Sequence, residues 1–334
     1  MLRVFLSHTP EMRAGYYPPR AVAALRAVAE VVLHQGERPL SGRALAEAAQ
    51  GCQCIVADRA TAGNAETFAA MPELVAFHRV AVDISTIDVP AASAAGVLVT
   101  QATPGFGSSV AEIAIGMMVD LARGVSGHTA SYWAGTPPVS RMGVQLAGKT
   151  LGIIGWGRIA QRIAPIAVAM RMRVLVQDPY VQVEAPGVEA VPLATLLAES
   201  DVVMPLALST PETRHLMNAT TIGAMKRGAF LINLSRGELV DEDALAAALD
   251  SGHLAGAGMD VGSAPDQRPN PALATRKNVV ATPHVAGLTP EAAEHQAMDT
   301  VRQVTALAAG RLPQGAVNAA SATRLARIGI KPPS

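Results

Sequence analysis

The stretch Lys149 to Ala164, Lys-Thr-Leu-Gly-Ile-Ile-Gly-Trp-Gly-Arg-Ile-Ala-Gln-Arg-Ile-Ala, limits the possible folds more than any other part of this chain. It opens on an apolar run, Leu151 to Ile154, long enough for a buried strand. It turns through Gly155-Trp156-Gly157 and continues with helical spacing that predicts Ile159, Ile163 and Ile166 on one face. Gly155, Gly157 and Ala160 match G-x-G-x-x-(G/A). In that pattern the first glycine makes the tight turn and the second lets the backbone approach a pyrophosphate. The small third residue lets helix and strand pack closely, with the helix N-terminus toward the phosphates. A Gly-rich turn alone is weak evidence. Here a second apolar run, Val174 to Gln177, ends in Asp178, twenty-one residues after Gly157. A carboxylate at that position can accept both hydroxyls of an adenosine ribose. No Arg or Lys follows in Pro179 to Gln182 to meet a 2′-phosphate, so the cofactor expected is NAD, not NADP.

A chain of 334 residues suits two domains of ordinary size. Half of it is hydrophobic but only 3% aromatic, so the core must be aliphatic. With a formal net charge of zero, there is no electrostatic reason to expect nucleic acid or an anionic membrane as partner. No run reaches the ~18 apolar residues of a membrane helix. The opening Met1 to His8 reads as a first strand, too short for the core of a signal peptide. Cys52 and Cys54 are expected on one face of a strand, as small buried residues in a reducing compartment. Cys-x-Cys without further cysteines is not a zinc site, and no metal is expected. The expectation is a soluble, cytoplasmic protein.

Taken in order, 4–6, 31–33, 54–56 and 97–99 read as strands, and 19–29, 41–50 and 64–70 as helices, with Ser41 as an N-cap. Gly105 and Gly107 break the chain before a long helix, Ser109 to Arg123, apolar on most of its circumference. A polar bridge, 124–145, leads to the Gly-rich unit. Beyond Asp178, helices at 192–199, 218–226 and 241–250 alternate with strands at 202–206, 229–234, 254–260 and 278–281. A helix at 290–309 is expected to return to the first unit, and an Ala-rich tail, 311–334, ends Lys-Pro-Pro-Ser. Such alternation predicts an α/β protein with parallel sheets.

Three polar residues stand at strand ends, where doubly wound sheets bind ligands. Arg236, in Asn233-Leu-Ser-Arg-Gly-Glu-Leu-Val-Asp-Glu242, can hold a carboxylate bidentately. Asp260 ends Gly256-Ala-Gly-Met-Asp. The third is His284, in Thr282-Pro-His-Val-Ala-Gly287, a residue type that can exchange the proton that accompanies a hydride transfer. Of the eight histidines, it alone combines a strand end, a preceding Pro and a Gly shortly after.

Together with Ser109-Val-Ala-Glu112 and Leu146 to Ile159, these blocks give a sequence that resembles the D-isomer-specific 2-hydroxyacid dehydrogenases over roughly residues 50–310. That family includes phosphoglycerate, glycerate and D-lactate dehydrogenases and formate dehydrogenase. The resemblance implies two doubly wound parallel-sheet domains. An NAD-binding Rossmann domain (104–285) would be inserted into a discontinuous flavodoxin-like catalytic domain (1–103 and 286–334). It implies a homodimer built largely on the long helix and the bridge, and a small 2-keto or 2-hydroxy acid as substrate. By the same resemblance Arg236 binds the substrate carboxylate and His284 is the general acid/base. Gly155, Gly157, Arg158 and Ile159 lie at the pyrophosphate and Asp178 at the ribose. Ala207 lies at the adenosine half, and Leu234, Ser235 and Asp260 at the nicotinamide.

Three departures accompany the resemblance. The family glutamate that hydrogen-bonds the histidine aligns with Pro265, leaving Asp266 as the nearest carboxylate. The family's Gly-x-Gly substrate loop reads Ala81-Val82-Asp83, so Asp83 either repels substrate or binds a substrate hydroxyl. Leu206-Ala207-Leu208 replaces a frequent His-x-Pro. Two functions follow: an NAD-dependent dehydrogenase, or an NAD(H)-binding sensor or interaction protein with weakened chemistry. The resemblance implies that the Asp58-Arg59-Ala60-Thr61 segment helps to bind substrate, but Arg59 is a single cation and does not imply a phosphorylated one. The short C-terminal tail argues against an appended regulatory domain.

Overall fold

The computed structural model describes residues 1–331; the last three residues of the tail read above lie outside the described residues. The chain forms two compact units, Met1–Gly105 with the residues from Thr289 onward, and Phe106–Leu288.

The first unit is a five-stranded sheet of β1 (Arg3–Leu6), β2 (Glu30–Leu33), β3 (Cys54–Ala57), β4 (Ala76–Arg79) and β5 (Leu98–Gln101). All pairs are parallel, in the order β2-β1-β3-β4-β5. Successive side chains alternate between faces, and both faces are covered. Val4, Leu6 and Val56 enter one core, whereas Phe5, Ile55 and Phe77 enter the other. The helix Pro290–Ala308 completes the first of these cores through Ala297, Val301, Val304 and Leu307.

Several expectations are corrected here. β4 was not anticipated, because His78 and Arg79 look like solvent-facing residues, yet both are fully buried. Cys52 and Cys54 lie in opposite cores, because the strand begins only at Cys54 and Cys52 sits in the turn before it. Ser41 takes the N-cap position of the helix Gly42–Ala48, but its side chain makes no capping bond. The short helices Pro10–Tyr16 and Val89–Ala94 were also unforeseen. Both have proline in the first turn, and both are capped by side chains, Thr9 and Asp88.

The second unit is a seven-stranded parallel sheet. Its strands are β6 (Thr150–Ile154), β7 (Arg173–Gln177), β8 (Val188–Ala190), β9 (Val202–Pro205), β10 (Ala229–Asn233), β11 (Leu254–Met259) and β12 (Val279–Ala281). They run in the order β12-β11-β10-β9-β6-β7-β8. From β6 the chain winds outward to β7 and β8, then crosses back to β9 and onward to β12. The switch point of the sheet therefore lies at the carboxyl ends of β6 and β9, where Gly155 and Ala207 stand. The long helix starts at Gly107, two residues earlier than its spacing predicts, and packs Val110, Ala114 and Met117 on the face that carries Leu151 and Ile153. The bridge contains a helix of its own, Val125–Trp133. In the helix Ala160–Ala169 the packed stripe is Ala160, Ile163, Ala164 and Ala167, while Ile166 is exposed. The small residues sit closest to the sheet, which turns the larger Ile166 toward solvent.

Candidate active site

Gly155 is required twice over. Its φ of +97° is a conformation that side chains resist, and a Cβ there would lie 2.9 Å from the Ala207 nitrogen. Gly157 differs: a Cβ would meet nothing within 4 Å. Packing does not demand glycine at 157, and its bareness leaves the main chain open beside the start of the helix at Ala160, as a bound pyrophosphate requires. Asp178, at the end of β7, accepts hydrogen bonds from the main-chain N–H groups of Trp156 (2.7 Å), Tyr180 (2.9 Å) and Val181 (3.1 Å). The carboxylate thus ties the Gly-rich turn to the end of the next strand. Arg158 is exposed and Ile159 half-buried at the same turn. These residues fit a dinucleotide.

Ala207 connects the turn to the end of β10. It backs Gly155, and its carbonyl accepts the Ser235 hydroxyl at 3.0 Å. The next loop is shaped by Asn233. Its amide donates to the Arg236 carbonyl (2.8 Å), and its Oδ1 accepts the Ser235 N–H (3.1 Å). Leu234 points into the core, whereas Arg236 is exposed, with Nη1 donating to the Ser235 carbonyl at 2.8 Å. Gly237 lets this loop press on the loop after β11: a Cβ there would lie 2.3 Å from the Gly262 carbonyl oxygen.

Asp260 turns inward. It is 1% exposed, and both carboxylate oxygens are engaged: Oδ1 by the Thr282 hydroxyl (2.6 Å) and the Val285 N–H (2.8 Å), Oδ2 by the Ala286 N–H (3.0 Å). A fully bonded buried carboxylate is a rigid clamp, and what it clamps is the loop that carries His284. His284 has a φ of +60°, and its Nδ1 lies 2.8 Å from the main-chain carbonyl of Asp266. A carbonyl only accepts, so Nδ1 carries the proton and Nε2 is left to exchange one. The structure brings Asp266 to the histidine by its main chain; its side chain is exposed and takes no part in that bond.

In the first unit, Asp83 is paired. Its Oδ2 meets Arg59 Nη2 at 3.0 Å, and its Oδ1 accepts the Ser85 N–H at 2.9 Å. Burial works to raise the Asp83 carboxyl, but the bonds from Ser85 and the charge of Arg59 outweigh it and hold it below its ordinary value. Sequence reasoning missed what lies beneath. Arg79, wholly buried, donates from Nη2 to the Thr61 carbonyl (3.1 Å) and the Thr86 hydroxyl (2.7 Å), joining the loops after β3 and β4. Burial pulls it down to about 10, against the opposing pull of Asp58. Burial also lowers His8 to about 4, with Asp58 opposing, and His78 to about 4, with the Gln303 side chain opposing. His8, Asp58 and Arg79 stand at the carboxyl ends of β1, β3 and β4. The sequence had already named Asp58, and the strand-end rule that picked out Arg236 would have found His8 and Arg79 if applied to this unit too. Among the described residues no helix is long and apolar enough to cross a membrane, and no group of His, Cys, Asp and Glu could hold a metal ion.

Residues 115–286 match the family model described as "D-isomer specific 2-hydroxyacid dehydrogenase, NAD binding domain". The chain is 34% identical over 313 residues to the glyoxylate reductase of Korarchaeum cryptofilum, covering 90% of this chain and 93% of that protein. It is 33% identical over 303 residues to the D-3-phosphoglycerate dehydrogenase of Methanocaldococcus jannaschii. That match covers 89% of this chain but only 57% of the relative, so the chain spans little more than half the length of that protein. Among solved structures it is similar to the apo D-lactate dehydrogenase of Escherichia coli. The TM-score is 0.79 at 28% identity, covering 95% of this chain and all of the other.

Proposed function

Because this chain belongs to the D-isomer-specific 2-hydroxyacid dehydrogenase family, we propose that it reduces a small 2-keto acid to the D-2-hydroxy acid, and the reverse, with NAD(H). Gly155, Gly157, Arg158, Ile159 and Asp178 would hold the dinucleotide, with Ala207, Leu234 and Ser235 beside them. When bound, it supplies or accepts the hydride at C2 of the substrate. Arg236 binds the substrate carboxylate as a bidentate cation and fixes which carbon is presented. His284 delivers a proton from Nε2 to the C2 oxygen in reduction and removes it in oxidation. Asp260 keeps the histidine loop in place.

The observation that supports this reading best is the bond from His284 Nδ1 to the Asp266 carbonyl, because it fixes the ring and leaves Nε2 available for proton transfer. In the test, Arg236→Ala abolishes 2-keto-acid-dependent NADH oxidation and leaves NADH binding intact. Unchanged turnover in that variant would overturn the assignment.

A second copy of the chain is the partner that the surface favours. In a sequence with two tryptophans, Trp156 is buried while Trp133 is 85% exposed. Tyr132 and Val125 on the same helix are exposed as well, as is Val119 on the preceding helix. A cluster of this kind is costly on a lone subunit and suits a homodimer interface. Sedimentation equilibrium tests it: a mass of one chain at micromolar concentration contradicts the dimer. A cytoplasmic location belongs to the same reading, supported by two unpaired buried thiols, and fractionation of the native cells checks it.

A further inference from the structure

We infer that Glu242 is a positioning residue that orients His284 without touching it, through the main chain of the loop after β11. The inference rests on the reading of His284 as the general acid/base. In this chain the group that meets Nδ1 is a carbonyl, whose direction depends wholly on the conformation of its loop. That loop is closed on itself by bonds from Gly262 N–H to the Gln267 carbonyl (3.0 Å) and from Ala264 N–H to the Arg268 carbonyl (3.1 Å). It also contains two consecutive non-glycine residues in the left-handed region, Asp266 at φ +58° and Gln267 at φ +54°. Such conformations persist only where the surroundings enforce them.

Glu242 supplies the enforcement. It is the first residue of the helix Glu242–Asp250. Its Oε1 accepts the Ser263 N–H at 2.8 Å, and its Oε2 accepts the Ser263 hydroxyl at 2.6 Å. Gly262 makes room for this grip: a Cβ there would lie 2.8 Å from Glu242 Oε1 and 2.7 Å from Pro269 Cα. From Ser263 the chain runs three residues to Asp266, whose carbonyl receives His284 Nδ1. The imidazole is therefore held from two sides by carboxylates that never contact it. Asp260 fixes its own loop, and Glu242 fixes the loop of its partner.

Removing the Glu242 grip lets the loop relax, turns the Asp266 carbonyl away and frees the ring to rotate and change tautomer. Proton transfer suffers, while the groups that bind the dinucleotide and the substrate carboxylate stay as they are. The experiment compares Glu242→Ala and Glu242→Gln in the full chain, with His284→Gln as reference. The expected result is a fall in kcat of about tenfold in Glu242→Ala, since small misplacement of a catalytic group is expensive. KM and NADH affinity should stay within about twofold. Glutamine keeps an acceptor for the Ser263 N–H, so Glu242→Gln recovers most of the loss. The ¹⁵N signals of His284 should move toward a mixture of tautomers in the alanine variant only. The inference is overturned by an unchanged kcat in Glu242→Ala. It is also overturned if kcat, KM and NADH affinity worsen together and glutamine does no better than alanine. Wild-type turnover in His284→Gln would instead remove the acid/base reading, and this inference with it.

Discussion

The two sheets of this protein place their polar groups by opposite means. In the second unit the site is built from short-range pieces. Gly155, Gly157 and Asp178 fall within one strand–turn–helix–strand segment, and Asn233, Ser235 and Arg236 within one loop. In the first unit the last residues of β4 are buried ionisable groups, and one run of bonds from them reaches far along the chain. Arg79 reaches Thr61 and Thr86, and His78 reaches Thr100, which in turn donates to Gln303 two hundred and three residues away. Local construction leaves its mark in sequence motifs. Long-range construction leaves buried ionisable groups whose protonation is coupled to folding.

Acid gives the largest expected separation between the two. His8 and His78, both in the first unit, are held neutral at about 4, against an ordinary value of 6.5. As pH falls from 6.5 toward 4, the unfolded chain takes up protons that the folded chain refuses, so stability is lost across that window. Above pH 6.5 it is fully present. Each histidine contributes about 3 kcal/mol at the acid limit. Hydrogen exchange at stepwise lower pH should show the first unit losing protection before the second. Simultaneous loss in both would break the comparison.

A smaller effect sharpens the account of the second unit. Gly155→Ala should cost about 3 kcal/mol of stability, from a strained φ and the clash with the Ala207 backbone. Gly157→Ala should leave the melting temperature nearly unchanged and weaken NADH binding. Equal destabilisation by the two substitutions, measured by calorimetry, would mean that the two glycines serve the same purpose. The smallest effect is on the surface of the first unit. Asp83→Asn should cost less than about 1 kcal/mol, because its pair with Arg59 is exposed to water. Denaturant unfolding measures it, and a loss of several kcal/mol would contradict the exposure of the pair.

The same contrast explains how much of the protein was legible in its sequence. Both parallel sheets followed from the alternation of apolar runs and Ala-rich helices, and the Gly-rich turn and Asp178 from spacing alone. β4 was invisible because its last two residues are polar, and nothing in their neighbourhood of the sequence shows that Thr100, Thr61 and Thr86 bond to them in the interior. The stripe on the helix Ala160–Ala169 was misplaced because hydrophobic size pointed to Ile166, while close packing selected alanine. The partner of His284 could not be read either. Asp266 was singled out for its carboxylate, yet the bond comes from its carbonyl, and every residue has one.

The most direct test of the central claim is NADH oxidation by the purified chain against glyoxylate, pyruvate, hydroxypyruvate, 2-ketobutyrate and oxaloacetate, with NADPH in parallel. The account predicts turnover of at least one of these acids with NADH and little with NADPH, because no Arg or Lys follows Asp178 in Pro179 to Gln182 to receive a 2′-phosphate. Binding of NADH without turnover of any of them would contradict it, and would leave a dinucleotide-binding protein whose His284 and Arg236 carry no such reaction.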